Sequence, residues 1–126
     1  MSTIPVILTI AGSDCSGGAG IQADIKTISA LKGYAASVIT AVTAQNTTGV
    51  QAFYPIPPDI VRAQIISVTD DLQPAAIKIG MVHNAAIVHT IAECLQKYRS
   101  RFVVYDPVMV STSGRKLMTE DTVCAI

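Results

Sequence analysis

Short apolar, β-branched runs alternate along this chain with stretches whose apolar residues recur at helical spacing, and that alternation restricts the possible folds more than any single motif. Val6-Ile7-Leu8-Thr9-Ile10-Ala11 reads as a buried first strand, residues 37–42 as a second, 50–56 as a shorter one, 76–81 as a third buried strand and 102–105 as a fourth. Between them, Ile21, Ile25, Ile28 and Leu31 mark a helix stopped at Gly33. Pro57-Pro58-Asp59 opens a second helix with Ile60, Ile65, Val68 and Leu72 among its apolar positions, and residues 85–98 form a third. A turn at Ser111-Thr112-Ser113-Gly114-Arg115 precedes Thr119-Glu120-Asp121, which resembles a helix N-cap with acids in the first turn. Runs buried on both faces are typical of parallel sheets covered by helices. Composition agrees, because half of the residues are hydrophobic and only 14% are charged. The average soluble protein has about 25% charged residues.

Several function classes are excluded at this level. Nine basic and nine acidic residues balance, and no basic cluster exceeds Arg115-Lys116, so there is no electrostatic footprint for nucleic acid. The apolar runs fall short of the ~20 residues that a membrane span requires. No positive segment precedes the first apolar run, and Cys15, Cys94 and Cys124 form no CxxC pair. They read as reduced thiols, which places the chain in the cytoplasm. His83 and His89 lack partners at metal-ligand spacing and read as ordinary surface or helix residues.

Gly12, Gly17, Gly18 and Gly20 lie between the first strand and the first helix. Glycine lets a ligand approach the backbone closely, and the helix start offers unpaired N–H groups. A tight turn without a ligand is the plain alternative. A Walker loop is absent, since no Lys-Ser/Thr follows the glycines. Gly18-Ala19-Gly20-Ile21-Gln22-Ala23 matches a permissive dinucleotide fingerprint, which keeps a dinucleotide-dependent oxidoreductase open as an alternative. The acid expected after the second strand is missing, as Asp59 is the next one. In open α/β sheets ligands gather at the C-terminal strand ends. Gly12, Gln45, Met81 and Asp106, each just past an expected strand, should therefore share one edge.

The segment from Ala11-Gly12-Ser13-Asp14-Cys15-Ser16-Gly17-Gly18-Ala19-Gly20 to Ile21-Gln22-Ala23-Asp24 resembles the opening signature of the hydroxymethylpyrimidine/phosphomethylpyrimidine kinases. Ala44-Gln45-Asn46-Thr47, Lys78-Ile79-Gly80-Met81 and Asp106-Pro107-Val108-Met109 extend the likeness in family order. The resemblance implies a ribokinase-like three-layer α/β/α fold with a mostly parallel sheet. It implies ATP and Mg²⁺ as cofactors, a small pyrimidine alcohol or its phosphate as substrate, and a homodimer. It places Gly12, Ala19, Asp24, Thr43, Gln45, Met81 and Val108 in the substrate pocket and Asp106 near Mg²⁺, through water. Thr43 departs from the aliphatic residue expected there.

The Gln45 carboxamide could meet both a ring nitrogen and an amino group of such a ligand, although a solvated turn residue is equally consistent with its position. Asp24 reads either as a surface acid at a helix start or as a partner of substrate or glycine loop. Lys78 is left unassigned. The resemblance also implies a further half that carries an Asn-x-x-Glu magnesium motif and a Gly-Thr-Gly-Cys anion hole. Residues 1–126 are accordingly expected to form one partial domain, inactive alone, with an exposed apolar edge. A vitamin B6 kinase of the same fold and a pyrimidine-binding fragment without catalysis remain as variants.

Overall fold

A computed structural model describes residues 3–107. Within them the order is β1 (Val6–Asp14), α1 (Gly20–Ala30), β2 (Tyr34–Asn46), β3 (Gly49–Pro55), α2 (Pro58–Leu72), β4 (Ala76–Ile79), α3 (Ala85–Lys97) and β5 (Phe102–Tyr105). The strands form one sheet in the order β3-β2-β1-β4-β5. Pairs β1–β2, β1–β4 and β4–β5 are parallel, and β2–β3 is an antiparallel hairpin. The sequence expectation of a mostly parallel α/β sheet therefore holds.

Side chains alternate across a strand, so β1 divides its residues between two layers. Leu8 and Ile10 enter one core with Val38, Ile77 and Ile79, covered by Val61 and Ile65 of α2 and Ile87, Ile91 and Cys94 of α3. Each such aliphatic side chain removed from water contributes about 1.5–3 kcal/mol. Thr9 points to the opposite face, where its hydroxyl meets Asp24 of α1. Helices on both faces thus explain why β1 is buried on both sides from Leu8 to Ala11.

Local chemistry sets the helix ends. Pro58 stands at the first position of α2 with Asp59 in its first turn, a conformation and a charge that suit an N-terminus. Asn84 caps α3 by accepting from the Ile87 amide at 3.0 Å. After α1 the Gly33 amide donates to the Ile28 carbonyl, ending the helix where Gly33 was expected to stop it.

Four expectations need correction. β1 and β2 run further than their apolar cores, to Asp14 and Asn46. Pairing across a bulge between Ala11 and Ser13 keeps both strands extended through polar residues. β4 stops at Ile79, two residues early. Leu31, counted among the apolar positions that mark the first helix, is its C-cap and is exposed. Finally, β5 is not buried: Phe102, Val103 and Val104 are 55%, 47% and 61% exposed, because β5 is an edge strand among the described residues. Val108, the Ser111–Arg115 turn and the Thr119 cap lie outside the described residues.

Candidate functional site

The chain turns from β1 to β2 on one side and later enters β4 on the other side of β1, so the strand order reverses at β1. Crevices at such reversals are where open α/β sheets bind ligands. Gly12 and Met81 meet there. A Cβ built on Gly12 would stand 3.0 Å from Met81 Sδ, so only glycine admits the thioether without displacement. Met81 is 8% exposed and packs with Ala41 and Phe53. Its carbonyl accepts from the buried Thr40 hydroxyl at 2.8 Å, which ties the segment after β4 to β2.

Beside this apolar wall runs a polar string. The Thr43 hydroxyl donates to the Ser13 carbonyl at 2.7 Å, and Gln45 Nε2 donates to Thr43 Oγ1 at 2.7 Å. The single hydroxyl hydrogen of Thr43 is committed to Ser13, so Thr43 can only accept from Gln45. That fixes the carboxamide with its NH₂ group toward Thr43. The Gln45 backbone is held as well: its carbonyl accepts from Cys15 Sγ at 3.1 Å, and its amide donates to the same sulfur at 3.3 Å. Among the described residues Gln45 Oε1 makes no hydrogen bond, and Nε2 retains a second hydrogen. Half-buried and oriented, this carboxamide presents an acceptor and a donor side by side.

The glycine loop is built around Asp14, which the sequence did not single out. Its Oδ1 accepts from the Ser16 amide at 2.8 Å and the Ser16 hydroxyl at 2.7 Å. Its Oδ2 accepts from the Gly18 and Ala19 amides at 3.0 and 2.8 Å. Burial alone would push this carboxyl up, but the bonds from Ser16, Ala19 and Gly18 outweigh it and hold the group below the usual carboxylate range. Gln22 locks the loop base, accepting from the Asp14 amide at 2.8 Å and donating to Ser13 Oγ at 2.7 Å. Gly20 adopts φ +58°, and a Cβ there would fall 2.2 Å from the Gly12 carbonyl oxygen. The signal that could have found Asp14 is Asp-x-Ser, the spacing at which an Asx turn forms.

The edge therefore brings together Gly12, Thr43, Gln45 and Met81, with exposed Ala19 at the start of α1. Gly12 and Gln45 lie inside the extended β1 and β2 and not beyond their ends, for the pairing reason given above. His83, expected as an ordinary surface or helix residue, precedes α3 and is half-buried edge-on to Phe53 with ring centroids 4.6 Å apart. Asp106 follows β5, its amide bonded to the Ile79 carbonyl and its side chain exposed, on the same edge but two strands from β1.

Asp24 is placed differently from the rest. Its Oδ2 accepts from Thr9 Oγ1 at 2.6 Å and from Lys78 Nζ at 2.9 Å, and not from the glycine loop. Thr9 pairs with Lys78 across β1 and β4, so both point to the α1 face, which accounts for a lysine inside an apolar strand. Thr9 lies about 10 Å along β1 from Gly12 at the usual strand rise. Asp24 thus fastens α1 to two strands below the edge, and its Oδ1 makes no hydrogen bond among the described residues.

Among the described residues no group of three or more His, Cys, Asp or Glu is arranged to hold a metal ion. No helix among them is long and apolar enough to cross a membrane. An apolar cavity of about 210 Å³ lies elsewhere, between α3 and the sheet, lined by Ile79, Val82, Ile91, Leu95 and Tyr105 among others.

Comparison with known proteins converges on one family. The phosphomethylpyrimidine kinase family model matches residues 14–126. The hydroxymethylpyrimidine/phosphomethylpyrimidine kinase of Escherichia coli is 53% identical over 119 residues, which is 94% of this chain and 45% of the relative. Its counterpart from Rhizobium meliloti is 54% identical over 121 residues, 96% of this chain and 45% of the relative. The chain spans about half the length of the curated relatives it matches. The crystal structure of phosphomethylpyrimidine kinase from Clostridium difficile superposes with TM-score 0.87 at 52% identity, covering 94% of this chain and 51% of that one. Pyridoxal kinase from Staphylococcus aureus in complex with AMP-PCP and pyridoxal superposes with TM-score 0.77 at 35% identity, covering 85% and 40%. The fold is thus the ribokinase-like one expected, and the chain belongs to the phosphomethylpyrimidine kinase family.

Proposed function

We propose that these 126 residues carry the pyrimidine-binding part of a kinase that transfers the ATP γ-phosphoryl group to 4-amino-5-hydroxymethyl-2-methylpyrimidine and to its monophosphate. The observation that carries this reading is the oriented Gln45 carboxamide beside the Gly12–Met81 wall. An aminopyrimidine presents a ring-nitrogen acceptor next to an exocyclic amino donor. Gln45 Nε2 and Oε1 offer the complementary pair in one plane. Met81 and Ala19 supply apolar contact to the ring, and Thr43 holds the carboxamide in register. Asp24 serves the site by setting the position of α1 through Thr9 and Lys78.

The described residues do not by themselves fit a Mg²⁺ site. Asp106 is one exposed carboxylate, whereas Mg²⁺ demands an octahedron of oxygens. We assign it no more than contact through water, and no step is routed through it. Phosphoryl transfer depends on positioning and on charge stabilisation of the transferring group. The described residues address the first requirement, by offering the ring a fixed carboxamide and an apolar wall. The dinucleotide alternative loses support from the loop itself, since the Gly18 and Ala19 amides that would meet a pyrophosphate are bonded to Asp14. ATP use accords with the ADP and AMP-PCP complexes of the related pyridoxal kinases.

Calorimetric titration of this chain with hydroxymethylpyrimidine tests the reading. The pyrimidine is expected to bind more tightly than pyridoxal, and Gln45→Ala should weaken it by about 1–3 kcal/mol, the range for an unmatched buried polar group. An unchanged dissociation constant in that variant removes Gln45 from the site, and a preference for pyridoxal selects the vitamin B6 kinase reading. An ADP-release assay with ATP, Mg²⁺ and the pyrimidine should give no turnover from this chain alone.

A further inference from the structure

The start of α1 has the features of an anion site. Successive backbone amides converge in a glycine-rich loop at a helix N-terminus, a geometry that ordinarily recruits phosphate. The first turn of α1 contains no acidic residue, and Ala19 at its N-cap offers no side-chain acceptor. Yet the amides are satisfied from within. Asp14 reaches across from the end of β1, is only 3% exposed, and spreads four hydrogen bonds over Ser16, Gly18 and Ala19. The carboxylate stands where a phosphate would stand.

We infer that Asp14 is a positioning and specificity residue, an intramolecular anion that fills the loop's amide nest so that the loop accepts the uncharged ring and turns phosphate away. Two consequences follow from the geometry. The loop is shaped before any ligand arrives, because the donors that define it already have their acceptor. The negative ends of the reactants, a substrate monophosphate and the nucleotide, are held away from α1, because its amides are taken and a like charge lies behind them. The wall formed by Gly12, Ala19 and Met81 then meets the ring in a single orientation. The part concerning the ring rests on the pyrimidine reading above, while the filled nest does not depend on it.

The experiment is ¹H–¹⁵N NMR on the ligand-free chain, wild type, Asp14→Ala and Asp14→Asn, with amide exchange rates and titration by inorganic phosphate. In the wild type the Gly18 and Ala19 amides should be protected and phosphate should not shift them. In Asp14→Ala their exchange should accelerate by about tenfold or more, as expected for loss of a hydrogen bond to a charged group. Added phosphate should then move those two signals. Asp14→Asn keeps the shape and one carbonyl acceptor but turns an NH₂ toward backbone donors, so it should fall between the two. It also serves as the readable variant if Asp14→Ala does not fold. Phosphate shifting Gly18 and Ala19 in the wild type, or unchanged exchange there in the folded variants, would overturn the inference. Pyrimidine titration of the same samples separates the two claims. Wild-type protein that protects its amides but fails to bind the pyrimidine refutes the functional reading and leaves the filled nest standing.

Discussion

Replacing Gly20 by alanine should be far more damaging than replacing Gly17, although both glycines have positive φ. At Gly17 φ is +89° and the nearest atom to a new Cβ is Lys26 Nζ, 3.1 Å away, the far end of a long side chain that reaches the Gly17 carbonyl and can shift at little cost. The cost there is that of a left-handed conformation for an L-residue, about 1–2 kcal/mol. At Gly20 the φ of +58° carries a similar cost, but the Cβ would also sit 2.2 Å from the Gly12 carbonyl oxygen and 3.3 Å from the Asp14 amide nitrogen. Carbon and oxygen settle at about 3.3 Å or more, so the backbones must part by roughly 1 Å.

Gly12 belongs to the central strand and is packed against Met81, so the α1 end has to move. That movement opens the bridge between Ser13 and Gly20 and pulls the Ala19 amide, next to Gly20, off Asp14. One charge-assisted hydrogen bond lost adds about 1.5–3 kcal/mol. Together the loss is about 2.5–5 kcal/mol, a large share of the 5–15 kcal/mol that typically stabilises a domain. The chain has no tryptophan, so urea unfolding is best followed by far-UV circular dichroism with wild type, Gly17→Ala and Gly20→Ala compared at equal slope. A Gly20→Ala loss equal to that of Gly17→Ala would refute the reasoning, since it would mean that the close approach of the two backbones is not maintained.

Two further outcomes follow from the site. In a double-mutant cycle on Asp24→Asn and Lys78→Met, the coupling should be about 1–2 kcal/mol, above the range for fully exposed pairs because the side chains are 20% and 29% exposed; zero coupling in urea unfolding would show that Asp24 does not fasten α1 through Lys78. Protonating Asp14 should loosen the glycine loop only in strong acid. Its folded pKa lies below the unfolded value of about 3.9, so its contribution is complete above that value and is lost as pH falls through the folded pKa. Constant Gly18 and Ala19 amide protection from neutral pH down to about 4, then a fall, is the expected profile, and loss of protection near pH 6 would contradict it.

Much of this molecule was legible beforehand, and the divisions have physical causes. Runs such as Leu8 to Ile10 and Ala76 to Ile79 announce buried strands because both sheet faces are covered, and Pro58 and Gly33 announce helix limits through backbone restriction. Gly12, Gln45 and Met81 could be placed on one edge because parallel strands send their C-terminal ends the same way. Polar residues at strand ends were misread as loop, since an extended conformation there depends on a neighbouring strand and not on propensity. The exposure of β5 was hidden for the same reason, because an apolar strand looks alike at the centre and at the edge of a sheet.

The glycine loop shows the boundary most sharply. Spacing alone established a strand, four glycines and a helix start, hence a backbone shaped for close approach. Whether its amides await a phosphate or are already occupied depends on where one carboxylate points; Asp14 to Ser16 is a local Asx contact legible in the spacing, while the return of Gly18 and Ala19 onto the same carboxylate accompanies the Ser13–Gly20 bridge and the Gln22 bond that fold α1 back on β1. Likewise the sequence offered Thr43 and Gln45 as neighbours, while the Ser13 carbonyl, 30 residues away from Thr43, determines which way the carboxamide faces. Local chemistry acts through residues a few positions apart and can be read from the chain. A hydrogen bond between distant segments exists only after they have been brought together, and here such bonds decide what the site can recognise.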